Sequence, residues 1–186
     1  MQLSNDTLEI ANSRCPVPDD DELLRQYRAG SDDAGRCLVE RYQHRVFAVF
    51  YWYCGARPDQ QDRVQLVMAR TLAQSWLSRS PARVALALFQ AVRQELESRT
   101  SGKSSRLRRW RARRSDIPLS ADAAQLAAAL QRMNAALRLA LLLSQMAGLS
   151  YCDIAAVMGW PRAEVSERLN EARRSLLREL PAGETR

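Results

Sequence analysis

The stretch Gly148 to Leu180, GLSYCDIAAVMGWPRAEVSERLNEARRSLLREL, limits the fold of this chain more than any other. Ser150 followed by Asp153 is the pattern in which side chains satisfy free backbone donors at a helix start, so a helix is predicted to open at Tyr151. Ile154, Val157 and Met158 recur at helical spacing, and Ala155 keeps one face thin enough for a neighbouring helix. Gly159 offers the backbone freedom of a tight turn, which stops the helix near Met158. Pro161 suits the first turn of a second helix, where a missing N–H costs little, and Val165, Leu169, Ala172 and Leu176 line one of its faces. The prediction is a helix-turn-helix. In that motif the second helix lies in the major groove and its outward residues meet bases and phosphates. Here these are Arg162, Glu164, Ser166, Glu167, Arg168, Asn170, Glu171, Arg173 and Arg174. A helical hairpin in an ordinary α-domain is the plainer reading of the same residues.

With 186 residues, 46% of them hydrophobic, the chain suits one or two domains with real cores. No apolar run is long enough to cross a bilayer, and MQLSNDTLEIANSR lacks a basic segment followed by an apolar one, so a cytoplasmic protein is expected. Cys15, Cys37, Cys54 and Cys152 form no CxxC pair, and His44 is the lone histidine. Neither a disulfide framework nor a metal site is expected; buried free thiols are. The formal charge of +7 is localised: Arg99, Lys103, Arg106, Arg108, Arg109, Arg111, Arg113 and Arg114 carry eight positive charges with no acid among them, leaving −1 for the remainder. Such a cluster favours a polyanion, because neutralising phosphates releases condensed counterions, and it equally suits a solvated linker.

Residues 1–18, with Pro16 and Pro18, read as a flexible leader. The acidic run from Asp19 complements a helix N-terminus, and Leu23, Leu24 and Tyr27 give that helix an apolar edge before Gly30 ends it. Asp32 or Asp33 is the expected cap of a second helix carrying Leu38, Tyr42, Val46, Val49, Phe50 and Tyr53, closed by Gly55 and Pro58. Its aromatic end, FAVFYWYC, reads as core rather than a ligand pocket. A third helix is expected from about Asp59 to Trp76, with Val64, Val67, Met68, Thr71, Leu72 and Trp76 buried and Asp62, Gln65 and Ala69 on another face. Beyond Pro81 a fourth carries Val84, Leu88 or Phe89, Val92 and Leu96. Residues 100–119 form the basic linker, ended by Ile117-Pro118 and a capping Ser120. Leu126, Leu130, Met133, Leu137 and Leu141 then predict one long alanine-rich helix. No strand signal or repeat competes. The fold class is therefore all-α: two small helical domains, 19–99 and 120–186, joined by the basic linker, the second ending in the helix-turn-helix.

With that organisation in place, the chain resembles an extracytoplasmic-function sigma factor of bacterial RNA polymerase, across about residues 19 to 180. LRLALLLSQMAGLSYCDIAAVMGWPRAEVSERLNEARRSLLREL is similar to the family's region 4, including GLSY-x-x-IA, the turn Gly159 and the rhythm of Arg168, Leu169, Ala172 and Arg173. DQQDRVQLV, from Asp59 to Val67, is similar to the D-x-x-D-x-V-Q pattern of region 2, and ELLRQYRAGSDDAGRCLVERY resembles its opening helices. The resemblance implies that Asp59, Asp62 and Gln65 lie on the helix that docks onto core polymerase. It implies that Arg162, Glu164, Ser166, Glu167, Arg168, Asn170, Arg173 and Arg174 meet the upstream promoter element, and that Arg93, Gln94 and Arg99 meet the opened downstream strand. Arg106, Arg108 and Arg109 of the linker join the DNA-binding set.

Two departures stand out. Family members usually place an acid after the glutamine, where this chain has Leu66, and a Trp-Leu pair in the fourth helix, where it has Ala85-Leu86 or Leu88-Phe89. The residues that should flip a base have no clear position. From Leu130 to Leu180, seven arginines face five acids, a net of only +2. Glu167 and Glu171 suit phosphates poorly, although a glutamate can accept a hydrogen bond from cytosine.

The resemblance implies an initiation subunit whose partners are core polymerase and promoter DNA, with an anti-sigma protein as a further partner that no residue here identifies. Neither a cofactor nor a small-molecule substrate is expected. A phosphate-binding glycine loop, paired metal ligands and a nucleophile-base set are all lacking, which argues against an enzyme. Two other functions fit the same residues: a stand-alone helix-turn-helix regulator, and a sigma-like protein that binds polymerase without opening promoters.

Overall fold

The computed structural model describes residues 19–55, 57–77, 84–100 and 120–180, and every regular element among them is a helix. In the N-terminal half these are α1 (Asp20–Arg28), α2 (Asp32–Cys54), α3 (Gln60–Leu77) and α4 (Val84–Thr100). Asp19 caps α1 by accepting from the Glu22 N–H at 2.7 Å, and Asp20, Asp21 and Glu22 place negative charge at the positive end of the helix dipole. The cap of α2 is Ser31 rather than Asp32 or Asp33. Its extended backbone turns the hydroxyl toward the Ala34 N–H at 3.3 Å, while the two acids occupy the first helical turn.

Leu23 and Leu24 of α1, Leu38, Val46, Val49 and Phe50 of α2, Val64, Val67 and Met68 of α3, and Val84, Leu88, Phe89, Val92 and Leu96 of α4 are buried together. Both Leu88 and Phe89 are inside, so each of the alternatives left open by the spacing is realised. Gly35 lets α1 approach α2 closely, since a Cβ there would come within 2.8 Å of the Tyr27 ring. Of the aromatic run, Phe50 and Tyr53 are core, whereas Phe47 stacks on Tyr51 at 6.1 Å toward the outside. Gln60 is buried at the entry to α3. Its amide donates to the Phe50 carbonyl at 3.2 Å and the Gly55 carbonyl at 2.7 Å, tying the end of α2 to the start of α3.

Tyr42 packs edge-to-face on Phe89, with ring centroids 6.5 Å apart, and its hydroxyl donates to the Asp20 carboxylate, which also pairs with Arg41 at 2.5 Å. Burial, reinforced by the hydrogen bond to Asp20 and its negative charge, holds this phenol well above its usual pKa of 10.0. A folded-state pKa above the unfolded one contributes stability that is fully present below about pH 10 and lost as the pH rises further. Urea midpoints from pH 8 to 11 are therefore expected to fall less steeply above pH 10 in Tyr42→Phe than in wild type; parallel profiles would refute the assignment.

In the C-terminal half, the single alanine-rich helix expected from the sequence is two helices, α5 (Ala121–Arg132) and α6 (Ala135–Gln145). Met133 takes an extended backbone with ψ 156°, and the Asn134 side chain accepts from the Ala136 and Leu137 N–H groups at 2.9 and 3.4 Å. An asparagine that offers the backbone its own acceptor starts a new helix rather than extending an old one. Ser120 caps α5 as expected, accepting from Ala123 at 3.3 Å. From Arg138 to Leu143 every residue of α6 is buried, because α6 is covered by α2 as well as by α7 (Tyr151–Met158) and α8 (Arg162–Glu179).

The thiols depart from expectation. Cys37 and Cys152 are exposed and Cys54 is half-buried; none of the three forms a disulfide. Cys37 falls on the outer side of α2, and Cys152 lies in the exposed first turn of α7. Among the described residues, no helix is long and apolar enough to cross a membrane.

Candidate nucleic-acid interface

Helices α7 and α8 pack across a short turn. Ser150 caps α7 through the Asp153 N–H at 3.2 Å and donates its own hydroxyl proton to the Asp153 carboxylate at 2.6 Å. The helix ends at Gly159, whose φ of 67° and ψ of 30° are left-handed, a conformation glycine adopts without a Cβ penalty. The next helical residue is Arg162. Pro161 sits one position earlier than the sequence suggested, at the cap, with φ −58° and ψ 136°.

Val165, Leu169 and Ala172 of α8 are fully buried and fix its inner side. At about 100° per residue, Ala163, Glu167, Asn170 and Arg174 fall on the opposite side, flanked by Ser166 and Arg173 on one edge and Glu171 on the other. All seven are exposed. Within this face Asn170 accepts from Arg173 at 3.1 Å through its side chain and from Arg174 at 3.4 Å through its backbone carbonyl.

Glu164 and Arg168 belong to the flank instead. Nε and Nη2 of Arg168 donate to one Glu164 oxygen at 3.0 and 2.6 Å, and the guanidinium lies 4.7 Å from the Trp160 ring centroid. Trp160, which the sequence reading assigned no role, thus holds Arg168 against the turn by a cation–π contact. Its place in the turn, eight positions before an arginine on the next helix, was the available signal.

The downstream and docking residues divide likewise. Asp59 is buried at 6% exposure and ion-paired with Arg63, whose Nη1 reaches Glu95 on α4 at 2.6 Å. Burial alone would lower the Arg63 pKa; hydrogen bonds to and charges of Asp59 and Glu95 outweigh it, and the net shift is upward. Asp62 and Gln65 are exposed and share their outer side of α3 with Leu66, itself 51% exposed. Asp59 therefore points into the fold while Asp62 and Gln65 point out.

Gln94 lines an open groove of about 300 Å³ between α3 and α4, together with Arg70, Gln74 and Ser98. Arg93 is turned elsewhere: its Nε pairs with Glu97 at 2.6 Å and its Nη1 donates to the Val157 carbonyl of α7 at 2.7 Å. The side chains of Arg99 and Trp76, and Pro81, Arg106, Arg108 and Arg109 with the leader and linker, lie outside the described residues.

Residues 123–176, from α5 through most of α8, match the family model of Sigma-70, region 4. Within the C-terminal half, this segment is similar to a sigma-70 region 4. The fold likeness extends further: the structure of CnrH in complex with the cytosolic domain of CnrY matches with a TM-score of 0.69 at 19% identity, over 86% of this chain and 95% of that one. No curated protein matches the chain. The match to CnrH shows that the helical fold is shared across both halves of the described chain.

Proposed function

We propose that this protein is a sigma factor of bacterial RNA polymerase, acting in the cytoplasm to direct promoter-specific initiation. Residues 19–99 bind core polymerase, 100–119 connect, and 120–186 read the upstream promoter element. One observation carries the reading: the segment that matches the Sigma-70, region 4 model exposes Arg162, Ser166, Glu167, Asn170, Arg173 and Arg174 on its last helix. The fold shared with CnrH supports extending it to the N-terminal half. The arginines serve the phosphates and base edges, and Glu167, central on the face, suits the amino group of a cytosine. On α3 the docking surface is Asp62 and Gln65 with the apolar Leu66 beside them. Asp59 supports that surface from within by fixing Arg63 between α3 and α4. Arg93, Gln94, Arg99, Arg106, Arg108 and Arg109 are the candidates for the downstream strand and linker contacts. An anti-sigma protein is a fitting further partner, given that CnrH was solved in complex with the cytosolic domain of CnrY.

Reconstituted run-off transcription with core polymerase on a promoter library tests the proposal. Core-dependent transcripts from a defined promoter subset support it. Duplex binding without polymerase association would identify a stand-alone regulator, and polymerase binding without strand opening a sigma-like protein that does not initiate. Gln65→Ala is expected to weaken core polymerase binding about five- to tenfold, the scale of an interface residue worth roughly 1 kcal/mol, while leaving the melting temperature unchanged. Unchanged affinity in a titration with labelled core would remove Gln65 from the docking surface.

A further inference from the structure

The two halves are joined by polar contacts that run in both directions and end on helix termini. From the N-terminal half, Arg93 Nη1 donates to the Val157 carbonyl at 2.7 Å and Gln90 Nε2 to the Ala156 carbonyl at 3.4 Å. Both carbonyls belong to the last turn of α7, where no intrahelical N–H remains to serve them and the helix dipole is negative. From the C-terminal half, Gln131 Nε2 on α5 donates to the Tyr53 carbonyl at 2.9 Å and the Trp52 carbonyl at 3.4 Å, in the last turn of α2. Each half thus caps a helix of the other.

Arg138 on α6 holds the second cap in place. It is 7% exposed, and its Nη1 donates to the Leu130 carbonyl at 3.1 Å and to the Gln131 side-chain oxygen at 3.0 Å. With its oxygen so engaged, Gln131 is oriented with its amide N–H toward α2. The Arg138 guanidinium also lies 4.3 Å from the Tyr53 ring centroid, so one residue of α2 is gripped through both its carbonyl and its ring. Around these contacts α2 packs on α5 and α6, and α4 packs on α7.

We propose that these reciprocal caps latch the free chain in a closed state, with region 4 held against the N-terminal half, and that opening the latch is a required step before Arg93 can meet a DNA strand. With Nη1 on the Val157 carbonyl and Nε on Glu97, the Arg93 guanidinium is held against α7, and turning those donors to a phosphate requires releasing the cap. The closed state itself stands on geometry alone; its consequence for DNA rests on the sigma-factor reading. Carbonyl caps of this kind exchange readily for water, so a partner with a modest preference for the open form shifts the population.

Small-angle scattering of the full chain, alone in solution, tests the latch. Arg93→Ala combined with Gln131→Ala removes the main donor on each side without touching the buried residues of either half. The radius of gyration is expected to rise by roughly 3 Å or more over wild type, as a compact chain separates into two bodies, with helical circular dichroism unchanged. Superimposable curves for the two proteins would overturn the proposal. So would a wild-type radius of gyration well above the roughly 16 Å of a compact chain of this length, a result that depends on no substitution. Neither DNA nor polymerase enters this measurement, so failure of the latch leaves run-off transcription as a separate test of the sigma-factor reading, and the converse also holds.

Discussion

Leu169→Ala is expected to destabilise the C-terminal half by about 3–5 kcal/mol, the upper part of the range for large-to-small core substitutions. Leu169 has no solvent exposure, and its cluster partners Ile154, Val165, Leu143 and Ala172 are equally closed. Ala172 beside it on α8 is already small, leaving no long side chain on that turn to swing into the space. A cavity at the crossing of α7 and α8 also loosens the angle at which α8 is presented, so duplex binding should weaken along with stability. Leu177→Ala, on the same helix but 70% exposed, supplies the control, with an expected change within about 0.5 kcal/mol. Urea unfolding followed by circular dichroism, with fluorescence anisotropy on duplex DNA, checks both. A loss under 1 kcal/mol at Leu169 would show that the crossing repacks freely.

Several local signals of this fold are plain in the sequence. Ser150, Gly159 and Ser120 have one structural meaning each, because a capping hydroxyl or a left-handed glycine acts within a few residues of itself. Periodicity likewise placed Val165 and Leu169 inside and left Arg162, Glu167 and Asn170 outside. Errors arose where two local signals competed. Ser31 and Asp32 can both cap a helix, and only the backbone angle at Ser31 decides between them. Met133 and Asn134 continue an apolar stripe and interrupt it at once.

Long-range polar pairing was not legible at all. Arg93 looked like any surface arginine until Val157, distant in sequence, was found within 2.7 Å, and its acceptor is a backbone carbonyl that every residue possesses. Gln131 on the Tyr53 carbonyl is the same case. Exposed Cys37 and Cys152 also ran against the composition rule that favours buried thiols, since a cysteine tolerated at an outer helix position leaves no periodic mark.

Asp59 is buried where Asp62 and Gln65 are exposed, and Arg63 is the residue that tests what the buried carboxylate does. Its side chain, 26% exposed, bridges Asp59 at 7% and Glu95 at 18%, so that α3 and α4 are tied through one cation. Arg63→Met keeps much of the aliphatic packing and removes the charge, leaving the poorly solvated carboxylates of Asp59 and Glu95 without this cation. Breaking a buried pair from one side costs about 3–5 kcal/mol, and the residual exposure of Arg63 reduces the expectation to about 2–3 kcal/mol. Because the folded-state pKa of Arg63 is raised, its contribution is fully present throughout the range in which an unfolded arginine is charged and is lost only above it. The deficit should accordingly be constant from pH 6 to 9 in urea titrations. Gln65→Ala on the outer side of the same helix should show the opposite pattern, with unchanged unfolding and weaker polymerase association. If Arg63→Met unfolds at the wild-type midpoint, the Asp59 ion pair is not what holds α3 to α4.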